Sequence, residues 1–247
     1  RSLTKLPQFP KLSELDLSYG SAKVDLEALV NYAPTLRSLK LAGTRIKSET
    51  FAALRRLRSL EELTLGLGEI DAAAFRELSR LDHLHSLSLR FVKLRPGALQ
   101  SLPRMRQLRQ LDLGSCGLTD LDLKPIAALT QLRELRLDNN PITDTGLVQL
   151  RPLDALTELD VAFTSVTGAA FKDLRGLRSL EFVSMMCCPL TDEGMLAVAT
   201  LPHMTEISIT QEDLTPRLRS KMGAVRPGVV LAAPLSNAWH SIAGDAR

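Results

Sequence analysis

At 247 residues with a formal net charge of +3, the chain is long enough for one or two domains. Its balance of charge is too small to mark a nucleic-acid or membrane binder by composition. Apolar residues make up 45% but aromatics only 4%, so many aliphatic side chains, not a few rings, must fill the core. Three cysteines, Cys116, Cys187 and Cys188, form an odd set without paired spacing. Neighbouring residues on a strand point to opposite faces, so Cys187 and Cys188 make a poor structural bridge. The set argues against a disulfide framework, and a reducing, cytoplasmic compartment is predicted. No stretch approaches the ~18 apolar residues of a membrane span.

In chain order, Leu3, Leu6 and Phe9 step by three, as along one face of a helix. The chain is therefore expected to start inside a helix, in mid-repeat. Leu12 then opens a phrase that recurs at Leu36, Leu60, Leu84, Leu108, Leu132, Leu156, Leu180 and Met204, with a period of 24 residues. Each of these is followed by apolar residues three and five positions later, as in Leu36-Leu39-Leu41 and Leu60-Leu63-Leu65. The alternation predicts a short strand. Ten positions after each opening leucine stands another apolar residue, from Ile46 through Leu118 to Leu214. The spacing then turns helical, in Phe51-Leu54-Leu57, Phe75-Leu78-Leu81 and Leu147-Leu150-Leu153. Ser48, Asp144 and Asp192 stand where a helix N-cap is wanted, and Pro96 and Pro216 suit a first turn. Val229-Val230-Leu231 makes a tenth strand. Near it the repeat decays: Glu212 and Arg219 replace apolar residues, and Pro227 breaks the last helix.

One strand, one turn and one helix cannot bury their own apolar edge, so each unit must stack on its neighbours. The predicted fold is α/β, a right-handed solenoid with a concave parallel sheet and convex helices. Ten strands at roughly 4.8 Å each give a sheet about 45 Å long. Residues 1–234 form the solenoid, and residues 235–247, with Trp239, are a C-terminal tail that either caps the last strand or leads to another domain. A stack without a polar cap at its start exposes apolar surface, so the chain is expected to be part of a longer protein.

The stretch from Leu132 through Leu135, Leu137, Asn140, Ile142 and Asp144 to Leu147 resembles the leucine-rich-repeat family at its consensus. Its Ile-Thr-Asp-x-Gly-Leu element, Ile142 to Leu147, is similar to the 24-residue repeats of bacterial proteins, including type III secreted effectors, and to the cysteine-containing repeats of F-box proteins. The resemblance covers residues 3 to about 233. It implies the horseshoe fold and a binding role; a shared scaffold carries no particular chemistry. The family's turn asparagine is present as Asn140 but replaced by Thr44, Val92, Cys116, Thr164 and Cys188 in other repeats. Thr and Cys can supply weaker hydrogen bonds there, which makes Cys116 and Cys188 inward-facing structural thiols.

Catalysis needs acids, bases and nucleophiles converging on a cleft. Of the histidines His83, His85, His203 and His240, His85 is on the strand side but has no Cys or Ser nucleophile at a position the repeat brings close, His83 and His203 sit in solvated return segments, and no metal or phosphate motif is present. The expectation is a non-enzyme that uses no cofactor and no metal. What stacking does create is a set of columns on the sheet's outward face. The fifth position of the phrase runs Asp16, Lys40, Thr64, Ser88, Asp112, Arg136, Asp160, Ser184, Ser208; the seventh contains Arg90, Asp138 and Met186; the eighth contains Tyr19, Leu67, Phe91 and Phe163. Polar residues there are ordinary, but exposed apolar ones in a chain so poor in aromatics point to contact sites. The alternative is that they lean over the turns and cover them. The candidate protein-binding face is therefore Tyr19, Lys40, Leu67, Arg90, Phe91, Asp112, Arg136, Asp138, Asp160, Phe163 and Met186. Its mixed charges suit a protein partner and not nucleic acid or membrane.

Three readings follow. The first is a scaffold that grips a partner protein; the resemblance to injected effectors implies a bacterial origin, a host-protein target and the host cytoplasm as its place of action. A second is the substrate-recognition arm of a ubiquitin ligase or other modifying enzyme whose catalytic domain lies outside residues 1–247. A third is a structural or inhibitory solenoid that blocks another protein's site.

Overall fold

The computed structural model describes residue 9 and residues 11–20, 26–32, 35–45, 51–210, 215–225 and 228–232. Its strands, in chain order, are β1 (Glu14–Asp16), β2 (Ser38–Leu41), β3 (Glu62–Leu65), β4 (Glu69–Ile70), β5 (Ser86–Ser88), β6 (Lys93–Leu94), β7 (Gln110–Asp112), β8 (Glu134–Arg136), β9 (Glu158–Asp160), β10 (Phe182–Ser184), β11 (Glu206–Ser208) and β12 (Val230–Ala232). Ten of them form one sheet in the order β1-β2-β3-β5-β7-β8-β9-β10-β11-β12, and β4 pairs with β6 in a small second sheet. Every pair in the large sheet is parallel, and partners are 24 residues apart, as in Glu14↔Ser38 and Asp112↔Arg136. The sequence period thus becomes the sheet register, which is why no strand slips to the other face.

Between strands the chain returns through short helices: Leu26–Tyr32, Phe51–Leu54, Ala72–Leu78, Leu123–Ile126, Asp144–Leu147, Asp192–Ala199 and Pro216–Val225. Tighter 3₁₀ turns take this role at Ala98–Arg104 and Ala169–Asp173. Each of these 3₁₀ turns follows a glycine in the left-handed region, Gly97 and Gly168. The leucines of the phrase and of the helices share one continuous core along the stack, including Leu39, Leu63, Leu87, Leu111, Leu135 and Leu159, with Phe51, Phe75 and Phe171 as its largest members. The solenoid expected from the period is the fold observed.

Several local expectations need correcting. Asp144 and Asp192 are the first residues of their helices; the N-caps are Thr143 and Thr191, whose hydroxyls accept from Thr145 N and Gly194 N. A threonine one residue earlier has the extended backbone that a cap requires, leaving the aspartate free to reach the next repeat. Asp71 is a cap as well, accepting from Ala74 N at 2.8 Å. Pro96 lies before its 3₁₀ turn, which Gly97 starts in the left-handed region, whereas Pro216 does open its helix. Arg219, at the position where Phe51, Phe75 and Phe171 are buried in earlier repeats, is exposed, in keeping with the decay of the repeat there. The expectations for Leu3, Leu6, Ile46, Ser48, Glu212, Leu214, Pro227 and the tail with Trp239 lie outside the described residues.

Candidate protein-binding face

The residues following each strand set the shape of the face. In every described repeat the eighth position of the phrase has a positive φ: Tyr19, Leu67, Phe91, Ser115, Asn139, Phe163 and Cys187 lie between 49° and 65°, and Gly43 at 69°. That conformation is disfavoured for residues with a Cβ and is worst for bulky ones. The stack imposes it, because the amide of this residue bonds to the carbonyl of the following repeat, as in Phe91 N to Gly114 O and Phe163 N to Met186 O. The consequence is that the side chain is thrown outward. Tyr19 is 66% exposed, Phe91 and Phe163 56%, and Leu67 45%. Tyr19 does lean over its neighbour, since a Cβ on Gly43 would fall 2.7 Å from its ring. Two-thirds of Tyr19 is open nonetheless, so leaning does not hide it.

Tyr19, Leu67 and Phe91, but not Phe163, border a pocket of about 530 Å³ on the face of the sheet opposite the helices. Its apolar end is Tyr19, Leu67 and Phe91 around the gap left by Ala42, Gly43 and Gly66; its polar end is Ser88, Asp112, Arg136 and Asp160. Gly66 is packed so closely on the Gly43 amide, 2.4 Å from where its Cβ would be, that a side chain there would displace the floor. The pocket is elongated along the sheet, running from Tyr19 after β1 to Asp160 in β9.

Arg90 organises the polar end. Its guanidinium reaches across a whole repeat to form a fork with Asp138, at 2.8 and 2.5 Å, and stands 3.5 Å from Asp112. The path passes over Gly114, where a Cβ would lie 2.3 Å from the Arg90 Nη1. The same guanidinium lies 5.2 Å from the centre of the Phe91 ring, close enough for a cation–π contact. Asp112 also accepts from Ser88 Oγ and the Gly114 amide. Asp112 and Asp138 are thereby buried. They anchor Arg90 more than they face solvent. The Asp160 carboxyl is pushed up to about 6, first by burial and then by Asp138, against hydrogen bonds from the Ala162 amide and Ser184 and the weaker pull of Arg136.

Of the remaining candidates, Lys40 is half-buried beside Asp16 and outside the pocket. Phe163 borders a separate, shallow depression of about 390 Å³ with Asn139, Pro141 and Cys187. Met186 is half-buried one position before Cys187. A further depression of about 470 Å³ lies on the far flank around Leu121, which is 85% exposed, with Pro96 and Pro125. Sequence reasoning passed over it, although an apolar Leu121 between two aspartates was the available signal.

Cys116 and Cys188 are buried, and Cys187 is exposed. The Cys116 thiol donates to Leu89 O at 3.0 Å and Cys188 to Val161 O at 3.1 Å, each reaching back 27 residues. Asn140 makes the equivalent bond to Leu113 O and also accepts from the amides of Cys116 and Leu118. Burial pushes the Cys116 thiol up to about 12 and the Cys188 thiol upward as well, away from the reactive thiolate. Both act as asparagine substitutes in the turn ladder. Among the described residues, no group of three or more His, Cys, Asp and Glu could hold a metal ion, and no helix is long and apolar enough to cross a membrane.

The repeat, the parallel sheet and the outward columns together define a solenoid of stacked strand-and-helix units. Two family models agree: "Leucine Rich repeats (2 copies)" matches residues 106–154, and "Leucine Rich repeat" matches residues 176–199. Solved structures share the fold. An internalin (inlF) from Listeria monocytogenes is 23% identical with a TM-score of 0.66, over 81% of this chain and 55% of its own. Internalin C2 from the same species is 19% identical with a TM-score of 0.62, over 85% and 84%. A leucine-rich-repeat protein from Leptospira interrogans is 20% identical with a TM-score of 0.70, over 89% and 60%. The chain thus spans little more than half the length of the first and third of these. No curated protein matches it. The chain thus has the leucine-rich-repeat fold, and its central and later repeats match models of that repeat.

Proposed function

We propose that this chain is a non-catalytic recognition scaffold that holds a partner protein on its concave face, with Tyr19, Leu67, Phe91 and Arg136 as the principal contacts and Phe163 and Met186 extending them. The observation that carries this reading is the pocket beside Phe91, where exposed apolar side chains and charged groups meet on a preformed wall. Interfaces draw most of their affinity from such aromatic and arginine anchors in a shaped pocket. Arg90, Asp112 and Asp138 then serve as the rigid underlay that fixes Phe91, and Asp160 and Lys40 tune the charge around it.

The finer reading is the repeat domain of a bacterial effector that acts on a host protein. It is supported by the bacterial source of the similar structures and by the Ile142–Leu147 element. The test begins with partner capture from host-cell extract by the wild-type chain, followed by the same capture with Phe91→Ala, Arg136→Ala and Phe163→Ala and with the outer-face control Arg104→Ala. Loss of a specific partner on the first set and retention on the control is the expected pattern. A partner that binds all four variants equally would refute concave recognition.

A further inference from the structure

The whole chain carries a charge of +3, yet its inner wall is acidic. At the third, fifth and seventh positions of the nine phrases, counted from Leu12 and its counterparts, nine carboxylates stand against three cations, Lys40, Arg90 and Arg136. Arg90 is taken up by Asp138 and Asp112. Arg136 acts on both Glu158 and Asp160.

The excess of acid is greatest on β8 and β9. Glu134 and Glu158 are register partners, and parallel neighbours of this kind are only about 5 Å apart. Like charges facing each other in a sheet oppose folding. Glu158 is half-buried, and its carboxyl is held above the usual range by that burial and by Glu134, with Glu181 adding to the effect. Asp160, next on the same face, is raised in the same way by burial and Asp138. A cation brought by a ligand would relieve this repulsion, whereas an anionic ligand or a phosphate backbone would add to it. Asp160 also lines the pocket whose other end is Tyr19, Leu67 and Phe91, so one extended ligand can reach the acidic and apolar parts together.

We propose that the groove takes an extended cationic segment of a partner protein, with an apolar side chain seated among Tyr19, Leu67 and Phe91 and a lysine or arginine against Glu158 and Asp160. This rests on the concave-face recognition proposed above and adds the chemistry of what is recognised. A random peptide library displayed on phage and panned against the full chain tests it. Enriched peptides should combine Lys or Arg with a large apolar residue. Their affinity should fall about tenfold on Phe91→Ala, and about tenfold on the double variant Glu158→Gln/Asp160→Asn. The double variant relieves like-charge repulsion and keeps the oxygen that Ala162 N donates to, at 3.0 Å, so lost binding is separable from lost structure. Enriched peptides that need Phe91 but are neutral or acidic overturn the cationic segment while leaving concave recognition intact. Peptides indifferent to both variants, or no enrichment over blank support, overturn both.

Discussion

Arg90 reaches Asp138 because residue 114, which lies beneath its path, has no side chain. Gly114→Ala should therefore destabilise the chain by about 2 kcal/mol, since a new methyl group in a packed site forces its neighbours apart. Arg90→Ala should cost a similar amount by stranding the buried Asp138. Urea unfolding of both variants and of the pair combined checks this; if the two act through one contact, their effects will not add. Asp160 gives a pH test with the opposite sign to an ordinary ion pair. Its folded value, about 6, lies above its reference value of 3.8, so between those limits the folded chain holds the proton that the unfolded chain has lost. Stability due to Asp160 is then present at low pH and declines as pH rises toward 6. Asp160→Asn should be more stable than wild type at pH 7 and should lose that decline; equal stability of the two at pH 7 would contradict it. The outward columns were legible at this scale because a fixed period puts each residue beside its counterpart. The left-handed column was not. Tyr19, Leu67 and Phe91 carry none of the residue types that announce positive φ, and only Gly43 and Asn139 in the same column gave a hint.

The elements are held to one another by side chains that serve the neighbouring repeat. Asp120 accepts from Thr143 N and its hydroxyl, and Asp144 from Thr167 N, the Thr167 hydroxyl and Ala170 N, at 2.6 to 2.9 Å. Asp192 continues the series with Lys221 at 3.1 Å. A sequence pattern of Thr-Asp at the start of a helix cannot show which residue caps it and which reaches across, because either satisfies the local rule. Stacking decides, and it assigns the aspartate to the next turn. Asp144→Ala should therefore raise amide exchange in residues 165–171, in the following repeat, more than in its own helix Asp144–Leu147. Exchange confined to that helix would restore the simple capping role. The asparagine ladder supports a graded prediction. Asn140 satisfies Leu113 O, Leu137 O and the amides of Cys116 and Leu118, whereas Cys188 bonds Val161 O and Thr164. Asn140→Ala should cost about 3 kcal/mol and Cys188→Ala about 1 kcal/mol, in proportion to the buried groups left unpaired. Thermal unfolding that ranks them in reverse would mean that cysteine is more than a weak stand-in.

Across the whole molecule, a 24-residue period fixes architecture because every repeat must solve the same burial problem with the same neighbours. The strands were legible to within a residue, since Leu39, Leu63, Leu87 and Leu111 can share a core only in one register. The pocket was not legible as a volume: it depends on how far the sheet curves and on Gly43 and Gly66 lying together, neither of which the period encodes. The same one-dimensional order governs stability. Leu135 in β8 is fully buried with a strand on each side, and Leu15 in β1 is only partly buried at the sheet's edge. Leu135→Ala should cost about 3 kcal/mol and weaken both flanks, because the cavity it leaves breaks the stack in its middle. Leu15→Ala should cost clearly less, and its effect on amide exchange should fade beyond β2 and β3. If Leu15→Ala instead loosens amides as far as β10, the repeats fold as one indivisible unit, and nearest-neighbour stacking is not what sets the stability of this solenoid.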